Sequence, residues 1–194
     1  MPLHDPTVVT FGQLLLAAVF GFAGWRKATR IEEFVGVVRN FRLLPKGLAE
    51  PVARVLPFIE LALAAALLLS PIISQAGLSA LILLAIFTAA IWINLLRGRT
   101  HIDCGCFRSG AGQPLSHWLI GRNLLLMVLA AVLATAPSGP WLPGTFELAT
   151  AAAACATTVL LYVAASELHR TWPVSAAGAH HHHDHHHGDH KQGA

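Results

Sequence analysis

This sequence has little charge. Asp, Glu, Lys and Arg together make 12% of its 194 residues, against 55% for the apolar types, and the mean hydropathy is positive. A water-soluble domain carries about a quarter charged residues, so the composition excludes an ordinary soluble domain and leaves lipid as the natural solvent. Cysteine is scarcer still. Three of them are too few for the disulfide framework of a small secreted domain. The net charge of +3 does not mark a nucleic-acid surface, because the basic residues lie between apolar runs, where they act as topology signals. The first apolar run also lacks two things, a basic stretch before it and a small-residue cleavage site after it. It meets Trp25-Arg26-Lys27 instead, and is expected to be a retained span and not a removed leader.

What is present is a series of apolar runs. Crossing about 30 Å of hydrocarbon takes about 20 apolar residues in a helix, and five segments reach or approach that: 8–25, 52–69, 78–96, 115–134 and 146–165. The third and fourth are richest in Leu, Ile and Ala, and the fifth is rich in Ala and Thr. Between the first two, Ile31, Phe34, Val35, Val38 and Phe41 recur at helical spacing, with Glu32, Glu33, Arg39 and Arg42 elsewhere on the wheel. That pattern predicts an amphipathic helix along the membrane surface, ended by Pro45. Thr29-Arg30-Ile31-Glu32 has the form of a capping box at its start. The expected fold class is therefore all-α: a polytopic transmembrane helix bundle of about five spans with one interfacial helix. It occupies residues 1–172, and a His-rich tail, 173–194, is expected to be disordered.

Positive charge sets the expected orientation. Arg26, Lys27, Arg30, Arg39, Arg42, Lys46 and Arg54 surround the first connection, and Arg97, Arg99 and Arg108 lie in the third, with Arg122 just inside the fourth span. Residues 72–76 and 136–145 contain no Lys or Arg. A five-span chain then has its N-terminus outside and its C-terminus in the cytoplasm.

The concentrated chemistry is Cys104-Gly105-Cys106, on the short connection after the third span. Two thiols one glycine apart close only a small, strained disulfide, suited to exchange and not to stapling. Arg99, His101 and Arg108 favour the reactive thiolate, and Asp103 opposes it. A soft metal ion such as Cu(I) is the competing use of a Cys-x-Cys pair, and two small packed cysteines the plain structural one. Two ionisable residues fall inside predicted spans, Glu60 in the second and Arg122 in the fourth. A charge at such depth needs a partner, and the two are expected to pair across helices, with registration of the helices or a proton relay as the alternatives. Cys155, in the fifth span, reads as a small packing residue. Trp92, Trp118 and Trp141 read as interface anchors.

The tail holds His180, His181, His182, His183, His185, His186, His187 and His190, broken by Asp and Gly. Neutral imidazoles at this density suit Zn, Ni or Cu ions. Beyond such a metal, the sequence points to no cofactor.

Cys104-Gly105-Cys106-Phe107, followed by Leu115-Ser116-His117-Trp118 and Gly121-Arg122-Asn123-Leu124, resembles the MauE family of methylamine utilisation proteins, within the wider DoxX-like group of redox-associated membrane proteins. Gly24-Trp25-Arg26-Lys27, Asn40-Phe41-Arg42-Leu43-Leu44-Pro45 and Pro57-Phe58-Ile59-Glu60-Leu61-Ala62-Leu63 fit the same pattern, so the likeness covers about residues 8–135. The family motif continues with Gly where this chain has Arg108. The resemblance implies a multi-pass protein of the bacterial inner membrane, with Cys104 and Cys106 as a thiol–disulfide pair. It implies a part in maturing or exporting the disulfide-rich small (beta) subunit of methylamine dehydrogenase, beside a membrane-anchored thioredoxin-like partner. Two other functions remain open, metal handling by the cysteine pair and the tail, and a DoxX-like quinone-linked oxidoreductase subunit. Charge and resemblance also pull apart. Charge puts the cysteines on the cytoplasmic face, where thiols are kept reduced, while the implied client matures outside. Outward passage of reducing equivalents, a re-entrant loop or a reversed orientation would each reconcile them.

Overall fold

The computed structural model describes residues 5–98, 117–137 and 144–177, and among these every regular element is a helix. They are α1 (Pro6–Thr29), α2 (Ile31–Phe41), α3 (Lys46–Leu67), a 3-10 turn (Ser70–Ile72), α4 (Ile73–Leu96), α5 (His117–Ala134) and α6 (Thr145–Ala177). Met1–Cys155 forms one compact unit, and Ala156–Ala194 a second. Helix α6 runs through Pro173, where the composition changes, to Ala177.

The ends of the helices follow local chemistry. Asp5 caps α1, its Oδ1 accepting from the Thr7 amide at 2.9 Å, and Pro6 takes the first helical position, where a missing N–H costs nothing. The helix outruns the apolar stretch 8–25 by four residues. Its last turn carries Arg26 and Lys27, which complement the negative end of the helix dipole. The capping box expected at Thr29 is not formed. Thr29 ends α1, and its hydroxyl donates back to the Trp25 and Arg26 carbonyls, both at 3.0 Å. Arg30 alone separates α1 from α2 and makes no side-chain cap. Helix α2 ends at Arg42, which adopts the left-handed conformation (φ 49°). Helix α3 begins at Lys46, six residues before the predicted span, and carries both Pro51 and Pro57 within it.

Neighbouring helices alternate in direction. Gly24 of α1 lies against Pro57 and Glu60 of α3, and Gly21 against Ala64, so these two run antiparallel. Gly12 of α1 meets Leu129 and Leu133 of α5, and Gly77 of α4 meets Leu133 and Ala134. Ser74 at the start of α4 donates to the Ala134 carbonyl at the end of α5, at 2.6 Å. One end of this unit therefore gathers the last turns of α1 and α4, the first turns of α3 and α5, and all of α2. Arg97, just beyond α4, reaches the Arg42 carbonyl at that end, at 3.4 Å. The opposite end holds Asp5, the 70–72 turn and residues 135–137.

The core between α1, α3, α4 and α5 is built on Leu16, Phe20, Leu67, Leu84, Ala130 and Leu133. A smaller cluster of Phe34, Val35 and Ala53 seats α2 on α3. The outward faces are as apolar as the core. Phe58, Ile82, Ile86, Leu125 and Val128 are each more than half exposed. Water does not tolerate such continuous apolar surface, and lipid requires it. Among the described residues, α1 and α4 are long and apolar enough to cross a membrane, at 24 residues each, or about 36 Å. Leu119–Ala134 and Thr145–Leu161 are shorter apolar stretches. The protein is a helical membrane protein.

Candidate functional site

Glu60 is the deepest ionisable residue of α3, with 1% of its side chain exposed. One partner in the structure is Lys27, 3% exposed, whose ammonium donates to Glu60 Oε1. The sequence had assigned Lys27 to the basic connection after the first span, and had matched Glu60 with Arg122. Helix α1 extends to Thr29, so Lys27 is carried inside the bundle on its last turn. Gly24, one turn earlier on the same face, makes the approach close. A Cβ there would stand 2.9 Å from the Pro57 carbonyl oxygen and 3.1 Å from Glu60 Cβ. The absence of a side chain at Gly24 was the signal in the sequence that could have located this contact.

Two aromatic rings complete the surroundings of the ammonium. Lys27 Nζ lies 5.1 Å from the centroid of Phe34, on α2, and 4.7 Å from that of Phe87, on α4. Both lie within cation–π range. Four helices thus each contribute one side chain to a single desolvated cluster.

Arg122 belongs to a second polar group. Its Nε and Nη2 donate to Asn123 Oδ1 at 3.3 and 3.0 Å, and Asn123, 2% exposed, donates through Nδ2 to Thr88 Oγ1 at 3.3 Å. The Thr88 hydroxyl donates in turn to the Leu84 carbonyl at 2.7 Å. This chain of amide and hydroxyl orients the guanidinium near the start of α5 and binds that helix to α4. Asn94, fully buried in the last turn of α4, donates to its own helix at the Ala90 carbonyl, 2.9 Å away. Outside both groups, a surface ladder joins α2 to α3: Arg39 meets Glu50 at 2.7 Å, and Arg54 meets Glu50 at 2.9 Å and Glu32 at 3.4 Å.

Cys104, Cys106 and the eight tail histidines lie outside the described residues, as do Arg99, His101, Asp103 and Arg108. The connection that carries the cysteine pair leaves the end of α4 and enters α5, and so joins the two helices at the end of the bundle that also holds α2. Cys155 is a half-buried free thiol on α6. Trp92 stands half exposed near the end of α4, as an interface anchor does. Among the described residues no group of three His, Cys, Asp or Glu is placed to hold a metal ion.

No solved structure matches the chain. The family profile described as methylamine utilisation protein MauE matches residues 5–136, which takes in α1 to α5 and the cysteine pair. Methylamine utilization protein MauE of Paracoccus denitrificans is 45% identical over 166 residues, 86% of this chain and 89% of that protein. The proteins of the same name from Methylorubrum extorquens and Paracoccus versutus are each 45% identical over 170 residues, with the same coverage. The chain belongs to the MauE family of methylamine utilisation proteins.

Proposed function

We propose that this protein is a membrane thiol–disulfide redox protein that assists maturation of an exported, disulfide-rich subunit of methylamine dehydrogenase. The observation that carries the reading is the position of Cys104-Gly105-Cys106. The pair falls inside the stretch matched by the family, in a chain whose only other cysteine is Cys155. It also lies on a connection rich in Arg, and basic neighbours favour thiolates. In the exchange, one thiolate attacks a sulfur of a disulfide on a membrane-anchored thioredoxin-like partner, that S–S bond breaks, and a mixed disulfide forms as one partner thiolate leaves. The second cysteine attacks the mixed disulfide and releases the other partner thiolate. Two electrons pass to the partner, its two thiolates take up two protons, and Cys104 and Cys106 end as a disulfide. A cytoplasmic dithiol restores the pair by the same exchange, and the reduced partner passes its two electrons to a client disulfide outside. The basic residues of α1 to α4 supply the orientation: five spans in the bacterial inner membrane, with the N-terminus outside.

A second reading rests on the eight histidines between His180 and His190, which suit a Zn, Ni or Cu ion and, with the cysteine pair, would make a metal-handling protein. One comparison separates the two. In cells exposed to methylamine while growing on another carbon source, Cys104→Ser with Cys106→Ser is expected to leave the dehydrogenase small subunit without its native disulfides, read by mass spectrometry of its disulfide-linked peptides, and to abolish dehydrogenase activity. Deletion of residues 178–194 is expected to change neither. Normal client disulfides in the double serine variant would overturn the redox reading, and metal-dependent defects from both changes would establish the second.

A further inference from the structure

A buried ion pair is expensive, and replacing both partners by apolar side chains is often neutral or stabilising in soluble proteins. Inside a bilayer the same pair marks a site where charge is needed. Glu60 and Lys27 are among the most deeply buried charged residues described, and the question is what the charge is for. The surroundings of Lys27 answer it. A carboxylate oxygen and two aromatic rings, at 5.1 and 4.7 Å, converge on one nitrogen from three different helices. A carboxylate and π faces are what an alkylammonium ion selects.

We infer that Glu60, Phe34 and Phe87 form a built-in ammonium site whose occupant is this chain's own Lys27. The site is a lock. Its walls come from α2, α3 and α4, its occupant from α1, and filling it fixes the surface helix α2 on the bundle at the end where the 97–116 connection leaves α4. The van der Waals contacts of Phe34 and Val35 with Ala53 seat α2 on α3; the ammonium ties the Phe34 ring to α1 and, through Phe87, brings α4 into the same cluster. Gly24 supports the inference independently, because its missing Cβ lets the backbones of α1 and α3 come close enough for the ammonium to be seated.

The full chain, purified in detergent, tests this by thermal unfolding followed through tryptophan fluorescence. Lys27→Met keeps length and removes charge, and is expected to lower the unfolding temperature by about 4 °C or more. In Lys27→Ala, added ethylammonium or n-butylammonium is expected to restore part of that loss in a concentration-dependent way. The matching alcohols should not, and neither amine should act on the unaltered chain or on Lys27→Ala with Glu60→Gln. Phe34→Leu provides the measurement that does not depend on rescue. It should cost more in the unaltered chain than in the Lys27→Met background, because the ring's attraction for the cation is lost only where a cation is present. Equal costs of Phe34→Leu in the two backgrounds would overturn the inference, as would rescue by alcohol equal to rescue by amine.

Discussion

Gly77 and Gly36 are both helical glycines, and their surroundings give them opposite predictions. A Cβ at Gly77 would stand 2.6 Å from the Ala134 amide nitrogen and 2.7 Å from the Leu133 carbonyl carbon, which are backbone atoms of α5 that no rotamer change can move aside. Gly77→Ala is therefore expected to destabilise the bundle by about 1–3 kcal/mol through overpacking. At Gly36 nothing lies within 4 Å of the added methyl. Gly36→Ala gains the helix propensity that glycine forgoes, and should stabilise by about 0.5–1 kcal/mol. Unfolding temperatures of the two variants check both signs, and a tolerated Gly77→Ala would remove the close α4–α5 crossing from the account. Glu60 stands out in the sequence as a charge within an apolar run that needs a partner, because depth in such a run is visible along the chain. The pairing of Lys27 with it was not visible. Basic residues following an apolar run look the same whether they reach for water or fold inward, and only the approach of α1 to α3 at Gly24 decides it.

Among single elements, α2 was legible as an amphipathic helix because its apolar positions recur at helical spacing over a stretch too short to cross; it spans Ile31–Phe41 and stops at the left-handed Arg42, before the Pro45 that the sequence marks as its end. Helix α3 was less legible, since Pro51 and Pro57 are ordinarily read as breaks, and the sequence placed its start near residue 52 and not at Lys46. What holds α2 in place can be divided by burial. The Arg39–Glu50, Arg54–Glu50 and Arg54–Glu32 pairs are all 40% or more exposed, and exposed pairs contribute about 0–1 kcal/mol each. Phe34 is buried against α3 and beside Lys27. Phe34→Ala is accordingly expected to cost about 3–5 kcal/mol, and Glu50→Gln no more than about 1 kcal/mol despite ending two ion pairs. Chemical denaturation of both variants checks the ratio. An equal effect would mean that the charged ladder, and not the aromatic face, carries α2.

For the bundle as a whole, the alternation of apolar and basic stretches was legible in the sequence, and the structure supplies its reason. Because α1 and α4 run one way and α3 and α5 the other, Arg26, Arg30, Arg39, Arg42, Arg54 and Arg97 fall at a single end of the Met1–Cys155 unit. Among the described residues, the end formed by Asp5, the 70–72 turn and residues 135–137 holds no Lys or Arg. Ionic attraction of Lys and Arg to the anionic cytoplasmic leaflet, together with the bias they impose during insertion, predicts that the basic end lies inside the cell. The connection between α4 and α5 leaves from that same end, so the orientation predicts where Cys104 and Cys106 face. In a chain with Cys106→Ser and Cys155→Ser, Cys104 is the single thiol. A membrane-impermeant maleimide applied to intact cells is expected to leave it unlabelled, and to label it after the membrane is opened. Labelling in intact cells would reverse the orientation and put the pair beside its exported client. Protection until the membrane is opened requires that reducing equivalents start on the cytoplasmic side and cross to the client, which makes the membrane-anchored partner and not the cysteine pair the species that carries them out.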